Sequence, residues 1–135
     1  MADLLVPADA EYVLERYLEA GFRAQGWGPV DVDTKIPAKG DTYVVAFTTG
    51  GQDRTLVSGA DRILFDCYAP RAALAQNLAA RVFALVKDLD SRNVEGVQFY
   101  DVTPTKPANY PNPDKPTLFR YQFNAVIHAR YPKGN

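Results

Sequence analysis

Residues 62–89 read RILFDCYAPRAALAQNLAARVFALVKDL and decide the fold, because they predict a strand that runs directly into a helix. In the first part of this stretch, apolar and polar side chains alternate with a period of two, which is typical of a strand with one buried face. Leu64 is the apolar exception on the polar side. The apolar face carries Ile63, Phe65, Cys67 and Ala69, and the other face carries Arg62, Asp66 and Tyr68.

The second part of the stretch, from Arg71 to Leu89, predicts a helix, because its apolar residues recur with the helical period of about 3.6. Pro70 suits the start of a helix, and the polar run 90–93 ends it. The apolar stripe consists of Ala75, Leu78, Ala79, Val82, Val86 and Leu89.

A further helix is predicted nearer the N-terminus, from Pro7 to Gly21. Proline is well tolerated in a first helical turn, and glycine commonly follows a last turn, so Gly21 is expected to end the helix. The next residues, 22–40, are rich in glycine and proline and predict a loop with one short extended piece, Val30 to Lys35.

Strands are predicted on either side of the central stretch. Thr42 to Thr49 is rich in β-branched and aromatic residues, and Gly50-Gly51 is a tight hairpin signal that leads to a short return strand, Arg54 to Ser58. Gly96 to Thr103 predicts another strand after the long helix.

The C-terminal part combines a proline-rich segment, residues 104–117, with a long strand, Leu118 to Tyr131. The segment contains five of the ten prolines, which favours an extended, stiff loop over a central strand. The strand is longer than the usual five or six residues or so, and we expect part of it to lie against something other than its own sheet. Its apolar face carries Phe119, Tyr121, Phe123, Ala125, Ile127, Ala129 and Tyr131.

Together these elements predict a two-layer α+β fold, in which two helices pack on one face of a mixed, mainly antiparallel sheet. The helices each have one apolar stripe, and the sheet offers the one face that both can cover. At 135 residues, the chain is expected to form a single domain, residues 1–135, with an extended proline-rich loop at 104–117.

Composition excludes several classes of function. Fifteen basic and sixteen acidic residues give a net charge of −1, which argues against a dedicated nucleic-acid binder. A single cysteine, Cys67, excludes an internal disulfide and a cysteine-based zinc site. No signal peptide or run of apolar residues long enough to cross a bilayer is present, so we expect a reducing aqueous compartment.

Catalytic chemistry is sparse in this sequence. Cys67 lies on the apolar face of its strand and is interpreted as a small buried hydrophobe. His128 is the only histidine and lies on the polar face of the last strand. The carboxylates are scattered, and no glycine motif for nucleotide binding is complete. The prediction is a protein that is not an enzyme and holds no metal or cofactor.

Two parts of the chain resemble the tail terminator proteins of long-tailed, siphovirus-type bacteriophages. One is the strand-to-helix run from Arg62 through Asp66, Tyr68 and Pro70 into the alanine-rich helix. The other is the proline-rich segment with the strand that follows it, covering Lys106-Pro107, Asn109-Tyr110-Pro111, Asp114 and Arg120–Phe123. The likeness spans roughly residues 40–131. Lys106-Pro107 stands where the family often has Gly-Pro, a departure that bears on the conformation of the loop.

The resemblance implies a homo-hexameric ring at the head-proximal end of the phage tail tube. Such a ring ends polymerisation of the tube protein and gives the head-tail connector a surface on which to dock. It implies a location in the neck of the virion, after assembly in the host cytoplasm. DNA would pass through the central channel without specific binding, and no membrane is involved.

The proline-rich segment and the long strand are the features available for ring contacts. We expect the tip of the segment, Asn109, Tyr110 and Pro111, and strand residues Phe119 and Tyr121 to lie at the subunit interface. The segment could also be no more than a surface connection.

Two other functions stay open. One is a head-closure or head-tail connector component, because small ring-forming domains serve both posts. The other is a small hydrolase or ligand-binding domain that uses His128 with a nearby carboxylate.

Overall fold

The computed structural model describes residues 9–53 and 58–130. Two helices, α1 (Ala10–Ala24) and α2 (Ala72–Asp88), lie in this part of the chain, and neither is long and apolar enough to cross a membrane. The described strands are β1 (Val32–Asp33), β2 (Tyr43–Asp53), β3 (Ser58–Ala69), β4 (Asn93–Val94), β5 (Val97–Pro104), β6 (Ala108–Asn109) and β7 (Phe119–Arg130).

The strands form one sheet in the order β1-β2-β3-β7-β5-β4, and β6 pairs with β7 beside β5. Only the short β1 runs parallel to its neighbour β2, and the remaining described pairings are antiparallel. Both helices pack on one face of this sheet, because their apolar stripes share one buried cluster with alternate residues of the strands. The predicted α+β architecture is therefore confirmed.

Helix α1 begins after Asp9, whose side-chain Oδ1 accepts a hydrogen bond from the Tyr12 amide at 3.1 Å. Its end differs from the prediction, because Gly21 lies inside the helix and the last helical residue is Ala24. A Cβ atom at position 21 would lie 2.9 Å from Leu85 Cδ2. Gly21 therefore allows α1 and α2 to approach closely, and the predicted start at Pro7 lies outside the described residues.

The predicted hairpin turn at Gly50-Gly51 is wrong. Both glycines lie within β2, at a bulge where the register with β3 shifts between Thr48 and Gly51. A Cβ atom at Gly51 would lie 1.9 Å from the Ala60 carbonyl oxygen, so glycine is required here by close approach. Strand β3 runs without a break from Ser58, and the rest of the predicted return strand, 54–57, lies outside the described residues.

The other short elements agree with the sequence pattern in part. The extended piece predicted at residues 30–35 is present as β1, and the strand predicted at 96–103 is present as β5. Strand β4 was not predicted, since two residues are too few to show a period. The helix predicted over residues 71–89 is α2.

Strand β7 lies in the sheet along its whole length. All twelve of its residues pair with β3, and its other edge is shared by β5 and β6. Pairing within the sheet therefore accounts for the length of this strand, and contact of part of it with a partner stays a prediction. Tyr131, the predicted end of the strand, lies outside the described residues.

The face of the sheet that turns away from the helices carries a second, smaller apolar cluster. It is formed by buried Tyr43, Val45 and Tyr68, with Ile36, Phe47 and Leu118 packed around them. Asp66 is also buried on this face, with 6% of its surface exposed. The prediction that β3 is half-buried is wrong at this end, where both of its faces are covered.

Candidate interface at the proline-rich segment

The proline-rich segment, residues 104–117, runs alongside the first half of β7. The Thr105 amide donates to the Asn124 carbonyl at 2.8 Å, and the Tyr110 amide donates to the Arg120 carbonyl at 2.9 Å. Between them, Ala108 and Asn109 pair with β7 as strand β6. The amides that bond to β7 lie between the prolines, which lack an N–H group, so the segment pairs along an edge despite its composition.

Two turns bring the chain from the segment back into β7. The Asn112 side-chain oxygen accepts from the Asp114 amide at 3.0 Å, and the Lys115 amide donates to the Asn112 carbonyl at 3.0 Å. The Leu118 amide then donates to the Lys115 carbonyl at 3.1 Å. Leu118 packs against the smaller apolar cluster, so the segment is held to the sheet at both ends.

Arg120 is the side chain that joins the segment to the sheet. Its Nε donates to the Tyr110 carbonyl at 2.7 Å, and its guanidinium carbon lies 5.0 Å from the centroid of the Tyr110 ring. Longer contacts of 3.5 Å reach the Pro111 carbonyl and the Tyr68 hydroxyl. Only 13% of the Arg120 side chain is exposed, so these contacts lie mostly out of water.

Asp66 lies behind Arg120 and is the one buried charged residue among those the structure describes. Its Oδ1 accepts a hydrogen bond from Gln122 Nε2 at 2.6 Å, and its Oδ2 lies 3.7 Å from Arg120 Nη1. Burial raises the pKa of this carboxyl above its usual value, and the Gln122 hydrogen bond and the Arg120 charge offset part of that rise. The charged form is therefore held at a cost in free energy.

Tyr68 links this charge pair to the far end of the segment. Its hydroxyl accepts a hydrogen bond from Asn112 Nδ2 at 3.0 Å, and its ring packs 5.0 Å from that of Tyr43. Residues from β3, β7 and the segment thus form one connected group, which we call the polar cluster. Its members are Asp66, Tyr68, Asn112, Arg120 and Gln122.

The residues predicted to lie at a subunit interface are only partly brought together. Asn109, Tyr110 and Pro111 form an exposed tip at the edge of the sheet, and Tyr110 is 59% exposed. Phe119 is 41% exposed at the start of β7. Tyr121 is half-buried against the main core, so much of its ring already has a partner within the chain.

These residues also divide between the two faces of the sheet. Antiparallel partners point to the same face, so Asn109 lies on the helix side with Tyr121, and Tyr110 lies on the opposite side with Arg120. Phe119 follows the helix-side alternation of β7. A partner that contacts both faces would have to bind around the edge at β6.

Sequence reasoning missed the polar cluster. Asp66 was identified as a polar position of an alternating strand, and Asp66 and Arg120–Phe123 were part of the family resemblance, but no contact among them was predicted. The one available signal was the length of the alternating strands. A long strand is expected in the middle of a sheet, where polar side chains that are buried require hydrogen-bond partners. Periodicity does not identify those partners.

The two candidates for chemistry occupy unremarkable positions. Cys67 is fully buried, and burial raises the pKa of its thiol far above the usual value, as expected for a residue interpreted as a small hydrophobe. His128 stacks on Tyr100 with ring centroids 5.9 Å apart, and its Nδ1 lies 3.0 Å from the Asp101 backbone carbonyl oxygen. Over residues 9–53 and 58–130, no group of three or more His, Cys, Asp or Glu side chains could hold a metal ion.

One apolar groove lies on the helix side, far along the sheet from the segment. Its volume is about 310 Å³, and its walls include Trp27, Val30, Leu74 and Leu78. Arg81 closes one side, with its guanidinium carbon 5.1 Å from the centroid of the Trp27 ring. Asp31 also lines the groove, and the described residues around it include no histidine or cysteine.

Comparison with known proteins gives a likeness in fold alone. No family model matches the chain, and no curated protein matches it. A chain in a solved structure described as the virion of a native gene transfer agent (GTA) particle superposes with a TM-score of 0.58. The match covers 94% of this chain and 100% of that chain, at 16% sequence identity. The two chains therefore share one fold over nearly their whole lengths.

Proposed function

We propose that this chain is a structural protein of a phage-like virion and that it has no enzymatic activity. The observation that carries the proposal is the match in fold to a chain of a gene transfer agent virion, because it covers both chains almost completely. A match that covers 94% of this chain extends over most of the fold described above.

The interactions inside the domain support the same proposal. The polar side chains of the polar cluster bond to one another and to the proline-rich segment. Such an arrangement fixes a shape. An assembly protein requires a fixed surface, because each neighbour in a ring must meet the same contacts.

Within this class we propose the tail terminator post: a ring at the head-proximal end of the tail tube, which ends tube polymerisation and joins the tail to the head connector. The resemblance of the strand-to-helix run and of the proline-rich segment to that family supports the finer assignment. We place Asn109, Tyr110, Pro111, Phe119 and Tyr121 at the subunit interface of this ring. The small net charge of −1 is compatible with a channel through which DNA slides, since a basic lining would retain the phosphates.

Electron microscopy of particles made without this protein tests the proposal. A missing terminator should give over-long tails or tails without heads, and supplying the wild-type gene in trans should restore normal particles. Normal particles in the absence of the protein would overturn the proposal. So would a defect confined to head filling with tails of normal length.

A binding experiment separates the terminator from a head-closure or connector component. Purified protein is mixed in one sample with isolated tails and in another with filled heads, and capped ends are counted by negative-stain microscopy. A terminator should cap the head-proximal end of tails and leave isolated heads bare. Capping of heads alone would assign the chain to the connector.

A further inference from the structure

We infer that Arg120 is a positioning residue: it clamps the proline-rich segment to β7 and fixes the orientation of Tyr110 before any partner binds. The inference rests on contacts within one chain and goes beyond the proposed function. It concerns the state of the free protein, and its test can succeed or fail whether or not the chain belongs to a virion.

The contacts between Arg120 and Tyr110 carry the inference. The Tyr110 amide donates to the Arg120 carbonyl at 2.9 Å, and the Tyr110 carbonyl accepts from Arg120 Nε at 2.7 Å. The guanidinium also lies over the Tyr110 ring, 5.0 Å from its centroid. Backbone donor, backbone acceptor and ring of Tyr110 are thus all held by one residue, so the direction of the ring is determined by where Arg120 lies.

Arg120 is in turn held from behind. Its Nη1 lies 3.7 Å from Asp66 Oδ2 and 3.5 Å from the Tyr68 hydroxyl, and both partners are buried on β3. Tyr68 also accepts a hydrogen bond from Asn112 at the far end of the segment. The guanidinium therefore bridges a rigid strand and the segment, whereas a side chain in open solvent could move away from either.

Burying the charges of Asp66 and Arg120 lowers the stability of the fold, which argues that this pair specifies one conformation of the segment. Replacing a buried ion pair by apolar residues of similar volume is often neutral or stabilising. A chain that needed only a stable sheet here could use such residues. The planar guanidinium of Arg120 has several N–H donors, and these reach two carbonyls of the segment, the Tyr68 hydroxyl and the Asp66 carboxylate at once. An apolar side chain cannot bond to these groups.

Amide hydrogen exchange on the purified free protein tests the clamp. In Arg120→Gln, the amides of Thr105 and Tyr110 should exchange at least about tenfold faster than in the wild type, because the segment loses its charge-assisted bonds. Amides of α2, on the other side of the sheet, should keep their protection. The exposed Arg130 on the same strand provides the control, and Arg130→Gln should leave every rate near Tyr110 unchanged.

A second variant covers the case in which Arg120→Gln fails to fold because Asp66 is left buried without a cation. The double variant Asp66→Asn/Arg120→Gln removes both charges, so its melting temperature should return toward the wild-type value. Exchange at Tyr110 should nevertheless stay fast. A folded double variant with wild-type protection at Tyr110 would overturn the inference, as would an equal rise in exchange over the whole sheet.

Discussion

Phe65 and Asp66 are neighbours on β3, yet their side chains lie in opposite kinds of environment. Phe65 points to the helices, is fully buried, and stacks on Phe123 with ring centroids 4.8 Å apart. Asp66 points away from the helices, where Gln122 and Arg120 are its partners. One face of the sheet is held by the main apolar core, and the other face, at the proline-rich end, combines a smaller apolar cluster with a few polar contacts.

From this difference we expect stability and shape to depend on different parts of this domain. Apolar burial on the helix face is non-directional and tolerates other residues of similar volume. The polar cluster stabilises the fold less, because its charges are desolvated, but it has only one arrangement that satisfies its donors and acceptors. Substitutions on the two faces should therefore give different signatures.

The largest effect is expected on the helix face. Phe65→Ala should lower the free energy of unfolding by about 3–5 kcal/mol, since it removes a fully buried ring and leaves a cavity. Urea denaturation followed by circular dichroism measures the loss. Leu64→Ala is the matched control on the opposite face, where the side chain is half-buried, and it should lose markedly less. Equal losses at both positions would contradict the comparison.

A smaller effect is expected for a polar bond between the two helices. The Tyr17 hydroxyl donates to the Leu85 carbonyl at 2.7 Å and joins α1 to α2. Tyr17→Phe keeps the ring and should cost about 0.5–1.5 kcal/mol in thermal or urea unfolding. Tyr12→Phe, on the exposed side of α1, serves as its control and should change little. A loss as large as that of Phe65→Ala would mean that polar bonds dominate this face too.

The polar face should show a dependence on pH instead. Because the native pKa of Asp66 lies above its usual value, its contribution to stability is fully present below the unfolded-state pKa and is lost as the pH rises through the native pKa. Asp66→Asn carries no charge at any pH. Its stability relative to the wild type should therefore improve between acid and neutral pH in parallel chemical denaturation series.

If the stability of Asp66→Asn relative to the wild type fell as the pH rises, this account of the polar face would be contradicted. It would mean that the attraction between Asp66 and Arg120 outweighs the cost of burying the carboxylate. The polar cluster would then stabilise the fold as well as shape it.

The smallest effect on stability is expected at the tip of the segment. Tyr110 is 59% exposed, so Tyr110→Ala should change the free energy of unfolding by no more than about 0.5 kcal/mol. It should nevertheless reduce ring formation on tail ends, because the proposed contact surface is lost. Thr117→Ala, exposed in the same segment, should affect neither property. Unchanged capping of tails by Tyr110→Ala would remove this residue from the interface.

The sequence predicted the helix face better than the polar face for a physical reason. The period of α2 and the alternation of Phe65 with its neighbours follow from burial on one side, because burial of one face requires apolar residues at regular intervals in the sequence. Gly21 was predicted to end a helix and Gly51 to form a turn, and both predictions were wrong. Close packing against Leu85 and Ala60 requires glycine at these positions, and the sequence does not distinguish this requirement from that of a positive φ. The partners of Arg120 depend on tertiary contacts up to 54 residues away, which no local pattern records.

The most direct test of the central claim, that this chain is an assembly protein which builds a ring on a tail, is its mass in solution before and after tail tubes are added. The account predicts a well-defined small species alone and a closed ring of several copies on tube ends, with Arg130→Gln behaving like the wild type. A protein that never associates with tube ends, or that turns over a small molecule when pure, would contradict it.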